Sequence, residues 1–150
     1  MTLENWVKNN WLERQPSDAA EIRRLLDLAD ERLDDYKKAV AGKLSTDTQL
    51  NLSYDVIRIS AMAALRAAGY RVARTGNEHY RTIEALEFSI DPHRKLIHTL
   101  DKFRKKRNIA SYDTQGLVSQ GEADHCGRLA DELRKDVEDW IRKNHPGKIV

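Results

Sequence analysis

Apolar residues recur along this chain at intervals of three and four positions, the spacing typical of amphipathic α-helices. The first long stripe follows Pro16 and begins with a capping sequence in which Asp18 and Glu21 are three residues apart. It predicts a helix of about six turns that ends near Gly42. The apolar face of this first helix consists of Ile22, Leu25, Leu26, Ala29, Leu33, Tyr36 and Val40.

A second helix is predicted to begin at Thr46 or Asp47 and to end at Gly69, where a left-handed cap is expected. Small residues are concentrated between positions 60 and 68, and they leave room for a neighbouring helix to approach closely. This helix is therefore expected to be the central one. Its apolar positions are Leu50, Tyr54, Ile57, Ala61, Leu65 and Ala68.

The remaining periodic segments predict three further helices. A short third helix covers residues 78–88, and a fourth begins at Asp91 and Pro92, because proline favours the first turn of a helix. The fifth follows a capping box formed by Ser119 and Glu122 and ends before Pro146. The apolar positions of the fourth helix are Leu96, Ile97, Leu100, Phe103 and Ile109, and those of the fifth are Ala123, Cys126, Ala130, Leu133, Val137, Trp140 and Ile141.

These patterns predict an all-α protein, since no segment of four or more residues alternates as a strand. Four long helices with one or two short ones, joined by short connections, are typical of an antiparallel bundle. We expect residues 1–150 to form a single domain, with residues 1–16 as an N-terminal extension. The spacing predicts that Trp6, Val7 and Trp11 lie on one face of a short helix in this extension. We expect that face to pack across the end of the bundle; the alternative is that it binds a partner.

Composition narrows the functional class. A net charge of +2 is too small to indicate nucleic-acid binding unless the cations are clustered. The single cysteine, Cys126, excludes an intrachain disulfide, and no histidine has the neighbour spacing of a metal motif, so we expect no metal and no cofactor. The chain lacks a signal-peptide pattern, and its longest apolar run, residues 61–65, is too short to span a membrane. The sequence predicts a cytoplasmic protein.

Residues 103–113 concentrate polar and charged side chains at the end of the fourth helix. Four successive cations, from Arg104 to Arg107, occupy about one helical turn and therefore spread around the helix. Arg104, Arg107 and Asn108 share a face, and Ser111 follows. This face is a candidate phosphate-binding site. The alternative is a structural network of ion pairs with carboxylates of neighbouring helices.

The same segment contains Arg107 and Asn108, then three variable residues and a polar residue, here Tyr112. Upstream, residues 52–56 (Leu-Ser-Tyr-Asp-Val) lead through an alanine-rich run to Ala-Gly-Tyr at 68–70, and residues 76–84 contain a histidine and a short amphipathic helix. In this order the segments resemble HEPN domains, and the resemblance covers residues 18–143.

The resemblance implies a helical bundle that forms homodimers around a composite RNA-binding cleft. Several HEPN proteins are metal-independent ribonucleases, including toxins whose partner is a small nucleotidyltransferase. Carried over to this chain, the resemblance places Arg107, Asn108 and Tyr112 at the catalytic positions. Arg104, Arg107 and Ser111 would then bind the RNA phosphates.

Tyr112 stands where the ribonuclease members carry histidine. A phenol with a pKa of about 10 is ionised in about one part in a thousand at pH 7, which costs roughly 4 kcal/mol if it acts as a base. The sequence therefore predicts an HEPN-like protein directed at RNA and leaves catalysis open. It is either a partner-regulated endoribonuclease of the toxin type or an RNA binder that has lost cleavage. The alternative is a non-catalytic homodimeric interaction module in which the Arg-Asn segment is structural.

Overall fold

The computed structural model describes residues 1–112 and 118–149, with the backbone alone described for residues 108–112. This part of the chain is mostly helical, which confirms the all-α class. Its helices are α1 (Leu3–Lys8), α2 (Ala19–Ala41), α3 (Thr46–Ala67), α4 (Glu78–Glu84), α5 (Lys95–Tyr112) and α6 (Gln120–Asn144), with short 3-10 helices at Ala85–Phe88 and Pro146–Lys148. Two three-residue strands, β1 (Leu12–Arg14) and β2 (Tyr70–Val72), complete the described elements.

Helix α3 lies at the centre of the molecule and packs against α2, α4, α5 and α6. Its buried residues lie on almost every side of the helix, because it has neighbours all round. The small side chains predicted to allow close approach, such as Ala61, Ala63 and Ala64, are buried in these contacts. The core is completed by the apolar stripes of the other long helices, including Ile22, Leu26, Ile97, Leu100, Phe103, Leu133, Val137 and Ile141.

The predicted capping residues set the helix ends. The Asp18 carboxylate accepts a hydrogen bond from the Glu21 N–H at 2.8 Å and caps α2. Ser119 and Glu122 form the reciprocal capping box of α6, with hydrogen bonds of 3.1 and 3.0 Å. Gly69 follows the last residues of α3 at a φ of +93°, a conformation that a side chain would strain.

Two details of the helical prediction are wrong. Val40 is exposed, and Ala39 takes its place in the core as α2 approaches its end. Helix α5 begins at Lys95 instead of at Asp91 and Pro92. The chain cannot continue as a helix from Pro92, since Arg94 adopts a φ of +60° and Asp91 instead accepts a hydrogen bond from the Ile97 N–H at 2.7 Å.

The two strands are also absent from the prediction. β1 and β2 pair in antiparallel fashion, with Leu12 opposite Val72 and Arg14 opposite Tyr70. Three residues are too few for a polar and apolar alternation to be recognised in the sequence.

Residues 1–16 are attached to the helices by the sheet and by a cluster of apolar side chains around Trp6. Trp6 is 4% exposed and forms a second apolar cluster with Leu12, Leu65 and Ala85. Its ring meets the Phe88 ring edge to face, with centroids 5.1 Å apart. The N-terminal segment therefore covers the end of α3 and the short 3-10 helix that follows α4.

A buried arginine joins this segment to the bundle. Arg66 is 6% exposed. Its guanidinium donates to both carboxylate oxygens of Glu21, at 2.6 and 3.1 Å. It also donates to the backbone carbonyl oxygens of Gln15, Pro16 and Tyr70, at 2.7 to 3.1 Å. The buried guanidinium therefore has five hydrogen-bond acceptors, two carboxylate oxygens and three carbonyl oxygens, and these offset the cost of burying its charge.

Two further expectations can be compared with the structure. Cys126 is buried, and burial raises the pKa of its thiol to about 12, opposed by a hydrogen bond with Ser53. It is therefore an inert buried thiol at neutral pH. Among the described residues, no helix is both long enough and apolar enough to cross a membrane.

We expect Leu65→Ala to lower the free energy of unfolding by about 2–5 kcal/mol, because it leaves a cavity beneath Trp6. Urea denaturation followed by tryptophan fluorescence measures both the loss and the changed surroundings of Trp6. Leu44→Ala is the matched control: Leu44 is 54% exposed, and its truncation should change stability by less than about 0.5 kcal/mol. Equal effects of the two variants would contradict the assignment of Leu65 to the core.

Candidate functional site

Helices α3, α4 and α5 bring four basic side chains to one surface, here called the basic cluster: Arg58, His79, Arg104 and Arg107. Arg104 and Arg107 are one turn apart on α5, so both lie on the face that meets α3 and α4. The side chains of Arg58, Arg104 and Arg107 are 24%, 19% and 25% exposed. They are therefore ordered against protein yet accessible to a ligand.

Arg104 is held from within its own helix. Its Nε donates to the Asp101 carboxylate at 2.8 Å, and its guanidinium carbon lies 5.3 Å from the centre of the Tyr80 ring on α4. Lys105 contacts the same carboxylate at 3.2 Å. Burial tends to raise the pKa of Asp101, but its hydrogen bonds to these two cations outweigh burial and lower the pKa. Asp101 is therefore ionised at neutral pH.

Arg107 faces α3. One of its terminal nitrogens lies 3.8 Å from the Asp55 Oδ1, and its guanidinium carbon lies 5.3 Å from the Tyr54 ring centre. Arg58 approaches the same carboxylate oxygen, with its Nε also at 3.8 Å. A single carboxylate thus lies between two guanidinium groups, which keeps them close together despite their repulsion.

Tyr54 forms the floor of the basic cluster and is completely buried. Burial raises the pKa of its phenol to about 12, and the nearby Arg104, Arg107 and Arg58 act in the opposite direction. Among the described residues its hydroxyl has no hydrogen-bond partner. Tyr54 therefore remains protonated at neutral pH and is not a candidate base.

His79 completes the cluster at the first turn of α4. Its pKa is lowered from 6.5, first by partial burial of the ring and then by the positive charges of Arg58 and Arg107. The imidazole is thus held largely neutral at pH 7. It is the imidazole of the described site, and the sequence analysis noted it only as the histidine within residues 76–84.

Among the four successive cations at 104–107, Lys106 faces α6 and not the basic cluster. The Lys106 ammonium lies 3.3 Å from the Glu122 carboxylate at the start of α6. The four successive cations therefore spread around α5, as the helical geometry predicts. The contacts of Lys106 with α6 and of Arg107 with α3 are of the kind expected from a structural ion-pair network.

Three predicted site residues have side chains outside the described part of the structure: Asn108, Ser111 and Tyr112. Asp113, the last residue of the segment 103–113, lies outside it altogether. The backbone of α5 is helical through Tyr112. On a continuous helix, positions 107 and 112 point about 140° apart, so one copy of α5 does not bring Arg107 and Tyr112 to the same point.

Sequence reasoning did not select Asp55 and Arg58 as site residues. Both lie on α3, which is otherwise buried on most sides, and they are three residues apart on one face. Charged residues at helical spacing on a predominantly apolar helix were the signal that could have identified them. The described residues contain no group of three or more histidine, cysteine or carboxylate side chains able to hold a metal ion.

Comparisons of the chain with protein-family models, with curated proteins and with solved structures found no match. The likeness to HEPN domains therefore depends on the sequence pattern alone.

The lowered pKa of His79 sets the sign of a pH effect on stability. The unfolded chain binds a proton at this residue at a higher pH than the folded chain does. The contribution of neutral His79 is therefore fully present above about pH 6.5 and is lost as the pH falls through the folded pKa. We expect His79→Gln to lose less thermal stability than the unaltered protein when the pH falls from about 7.5 to about 5.

Thermal unfolding at several pH values measures this difference. Asn77→Gln is the control, because it changes an exposed neighbour without removing a titrating group. An identical pH dependence in all three proteins would show that the pKa of His79 is not lowered on folding.

Proposed function

We propose that this protein is an HEPN-like, RNA-directed protein that binds phosphates through the basic cluster. The supporting observation is that Arg58, Arg104 and Arg107, from helices distant in sequence, converge on one partly exposed surface. Arg104 and Arg107 are also the residues that the Arg-Asn pattern of α5 indicates. The proposal includes an antiparallel HEPN-like bundle and a cytoplasmic location.

The charge balance of the surface favours an anion. Three guanidinium groups face two carboxylates, those of Asp55 and Asp101, which leaves an excess of one positive charge (3 − 2 = 1). The Arg58 side chain is 24% exposed, and Asp55 at 3.8 Å is beyond hydrogen-bond distance, so an approaching phosphate can take a charge-assisted hydrogen bond from the exposed part of the guanidinium. His79 adds a further positive charge if a bound phosphate promotes its protonation.

A homodimer is part of the proposal. A continuous α5 holds positions 107 and 112 about 140° apart, so a site that uses both Arg107 and Tyr112 needs a second copy of α5. A dimer with α5 near its two-fold axis supplies that copy. A single monomeric species in light scattering at tens of micromolar chain would overturn this part of the proposal.

The proposal includes two alternatives for catalysis. With tyrosine at position 112, the protein is either a binder that has lost cleavage or a metal-independent endoribonuclease regulated by a partner. For the second case we propose a nucleotidyltransferase-type antitoxin as the partner. Both branches use the same phosphate contacts and differ in the group that moves the proton of the ribose 2′-hydroxyl.

A non-catalytic interaction module is the second candidate function. It is favoured by the pairing of Arg107 with Asp55 and of Lys106 with Glu122, which ties α5 to α3 and α6 without any ligand. In this case the Arg-Asn segment stabilises the bundle or a dimer, and removal of its cations affects stability more than RNA binding.

We expect the double change Arg104→Ala and Arg107→Ala to weaken RNA binding with little loss of helical circular dichroism. Binding should also depend less on salt, because fewer counterions are released. Two lost phosphate contacts should reduce the slope of log K against log salt concentration by roughly 1 to 2. Fluorescence anisotropy of a labelled RNA at several salt concentrations measures both quantities.

The matched control is Arg24→Ala with Arg128→Ala, which removes two exposed arginines of α2 and α6 and the same net charge. Equal losses in the two double variants would indicate non-specific attraction. Unchanged RNA binding together with reduced stability in the Arg104 and Arg107 variant would establish the structural alternative.

We expect Tyr112→His to create or increase RNA cleavage, because histidine supplies a base with a pKa near 6.5 at the position where ribonuclease members of the family carry it. Cleavage of a labelled RNA in the presence of EDTA measures the activity without metal ions. Activity that appears only in this variant and disappears with Arg107→Ala would identify the natural protein as a binder. Cleavage by the natural protein that Tyr112→Phe abolishes would show instead that the phenol takes part.

A further inference from the structure

A cleft of about 450 Å³ opens between α2, α3, β2 and α4. Its volume lies within the range of roughly 300 to 1,000 Å³ that small-molecule sites occupy. It borders the basic cluster, because Arg58 and His79 line both, but Arg104 and Arg107 lie outside it. The cleft is therefore a second concave surface next to the proposed RNA-binding surface.

Part of the cleft wall is apolar. Leu25, Met62 and Val72 line it and are only partly buried. Apolar surface that remains in contact with water inside a concavity gains free energy when a ligand covers it, by about 25 cal/mol per Å². This wall favours a ligand with an apolar body over a bare inorganic ion.

Cationic side chains provide the polar part of the lining. Arg74 is exposed and, within the described ranges, has no carboxylate within 4 Å. The Arg58 side chain is 24% exposed, and its Asp55 neighbour at 3.8 Å is beyond hydrogen-bond distance. The guanidinium groups of Arg58 and Arg74 therefore have hydrogen-bonding capacity to offer an anion.

The carboxylates of the cleft do not cancel this charge. Glu21 is engaged by Arg66 through both oxygens, and Arg71 is paired with Glu13 at 2.7 Å. Four arginines line the cleft together with two carboxylates, Glu21 and Glu78, so the lining itself carries an excess of two positive charges (4 − 2 = 2). Asp55, which lies 3.8 Å from Arg58, and Glu13 are outside this lining. An anionic group is therefore favoured over a cationic one.

We propose that this cleft binds a small organic anion, with its apolar body on Leu25, Met62 and Val72 and its anionic group held by Arg58 and Arg74. The proposal goes beyond the RNA-binding function and does not depend on it. A carboxylate and a phosphate monoester share the required chemistry, and the two are distinguished by comparing phenyl phosphate with phenylacetate as probes.

The chain offers a direct reporter for the test. Met62 lines the cleft and is one of only two methionines, the other being Met1, which is 69% exposed. In protein labelled with ¹³C at the methionine methyl groups, phenyl phosphate should shift the Met62 signal saturably. Met62→Leu assigns the signal. The protein is used as the full chain without RNA, so failure here leaves the RNA-binding proposal untouched.

We expect Arg74→Ala to weaken phenyl phosphate binding about fivefold, the effect of losing one exposed charge contact. Arg24→Ala, the control on an exposed arginine outside the cleft, should leave it unchanged. Inorganic phosphate and neutral benzyl alcohol should each bind more weakly than phenyl phosphate, because each lacks one half of the recognised chemistry. Tighter binding of phenylacetate would identify a carboxylate ligand, and tighter binding of phenyl phosphate a phosphate ester.

Three results would overturn the proposal. The first is a Met62 signal that moves with neither phenyl phosphate nor phenylacetate at millimolar concentration. The second is equal binding of benzyl alcohol, which would show an apolar surface without anion recognition. The third is the same affinity in Arg74→Ala and Arg24→Ala, provided that both keep the helical circular dichroism of the unaltered protein.

Discussion

The contacts of Arg66 hold the N-terminal segment, the sheet and helices α2 and α3 in one arrangement. An isolated buried guanidinium would cost several kcal/mol, and here the Glu21 carboxylate and three backbone carbonyls offset that cost. Removal of Glu21 would leave the buried guanidinium with the three carbonyls and no opposite charge, whereas Glu21, whose side chain is 32% exposed, would remain partly solvated without Arg66. The contact with Tyr70 lies at the start of β2, which five residues connect to α4, so the same contacts constrain where α4, with His79 and Tyr80, begins relative to α3. The positions of these site residues thus depend on an interaction elsewhere in the wall of the same cleft.

The basic cluster combines attraction and repulsion on a single surface. Asp55 lies between Arg58 and Arg107 and reduces the repulsion between them, while Asp101 holds Arg104. These carboxylates have two opposing effects on a phosphate. They hold the cations in place before the ligand arrives, which lowers the entropic cost of binding, and they compete with it for the same donors. Under the proposed function, a phosphate of the RNA that fits the positions of the held cations is favoured over one that does not.

Local signals in the sequence predicted most of the helical framework. Capping residues such as Asp18 and Ser119 act on backbone groups two or three positions away, so their effect can be read without knowing the fold. The start of α5 could not be read in this way, since Arg94 takes a left-handed backbone conformation and its guanidinium binds Glu84 and Glu87 from the preceding helical segment. The role of Arg66 depends on carbonyl groups about fifty positions away, for which the sequence contains no local sign.

The candidate site likewise contains residues that the sequence predicted and residues that only the packing of the helices brings together. Arg104 and Arg107 were predicted because they share a face of one helix, whereas their association with Asp55, Arg58 and His79 depends on how α3, α4 and α5 pack.

Arg66 recognises the N-terminal segment mainly by its main chain, since Gln15 and Pro16 contribute carbonyl oxygens alone. Side chains at these two positions can therefore vary among homologous sequences without loss of the contact. Selection would act instead on the pair Arg66 and Glu21, so that covariation of these two positions, and not identity of the segment between them, would mark this architecture in diverged sequences.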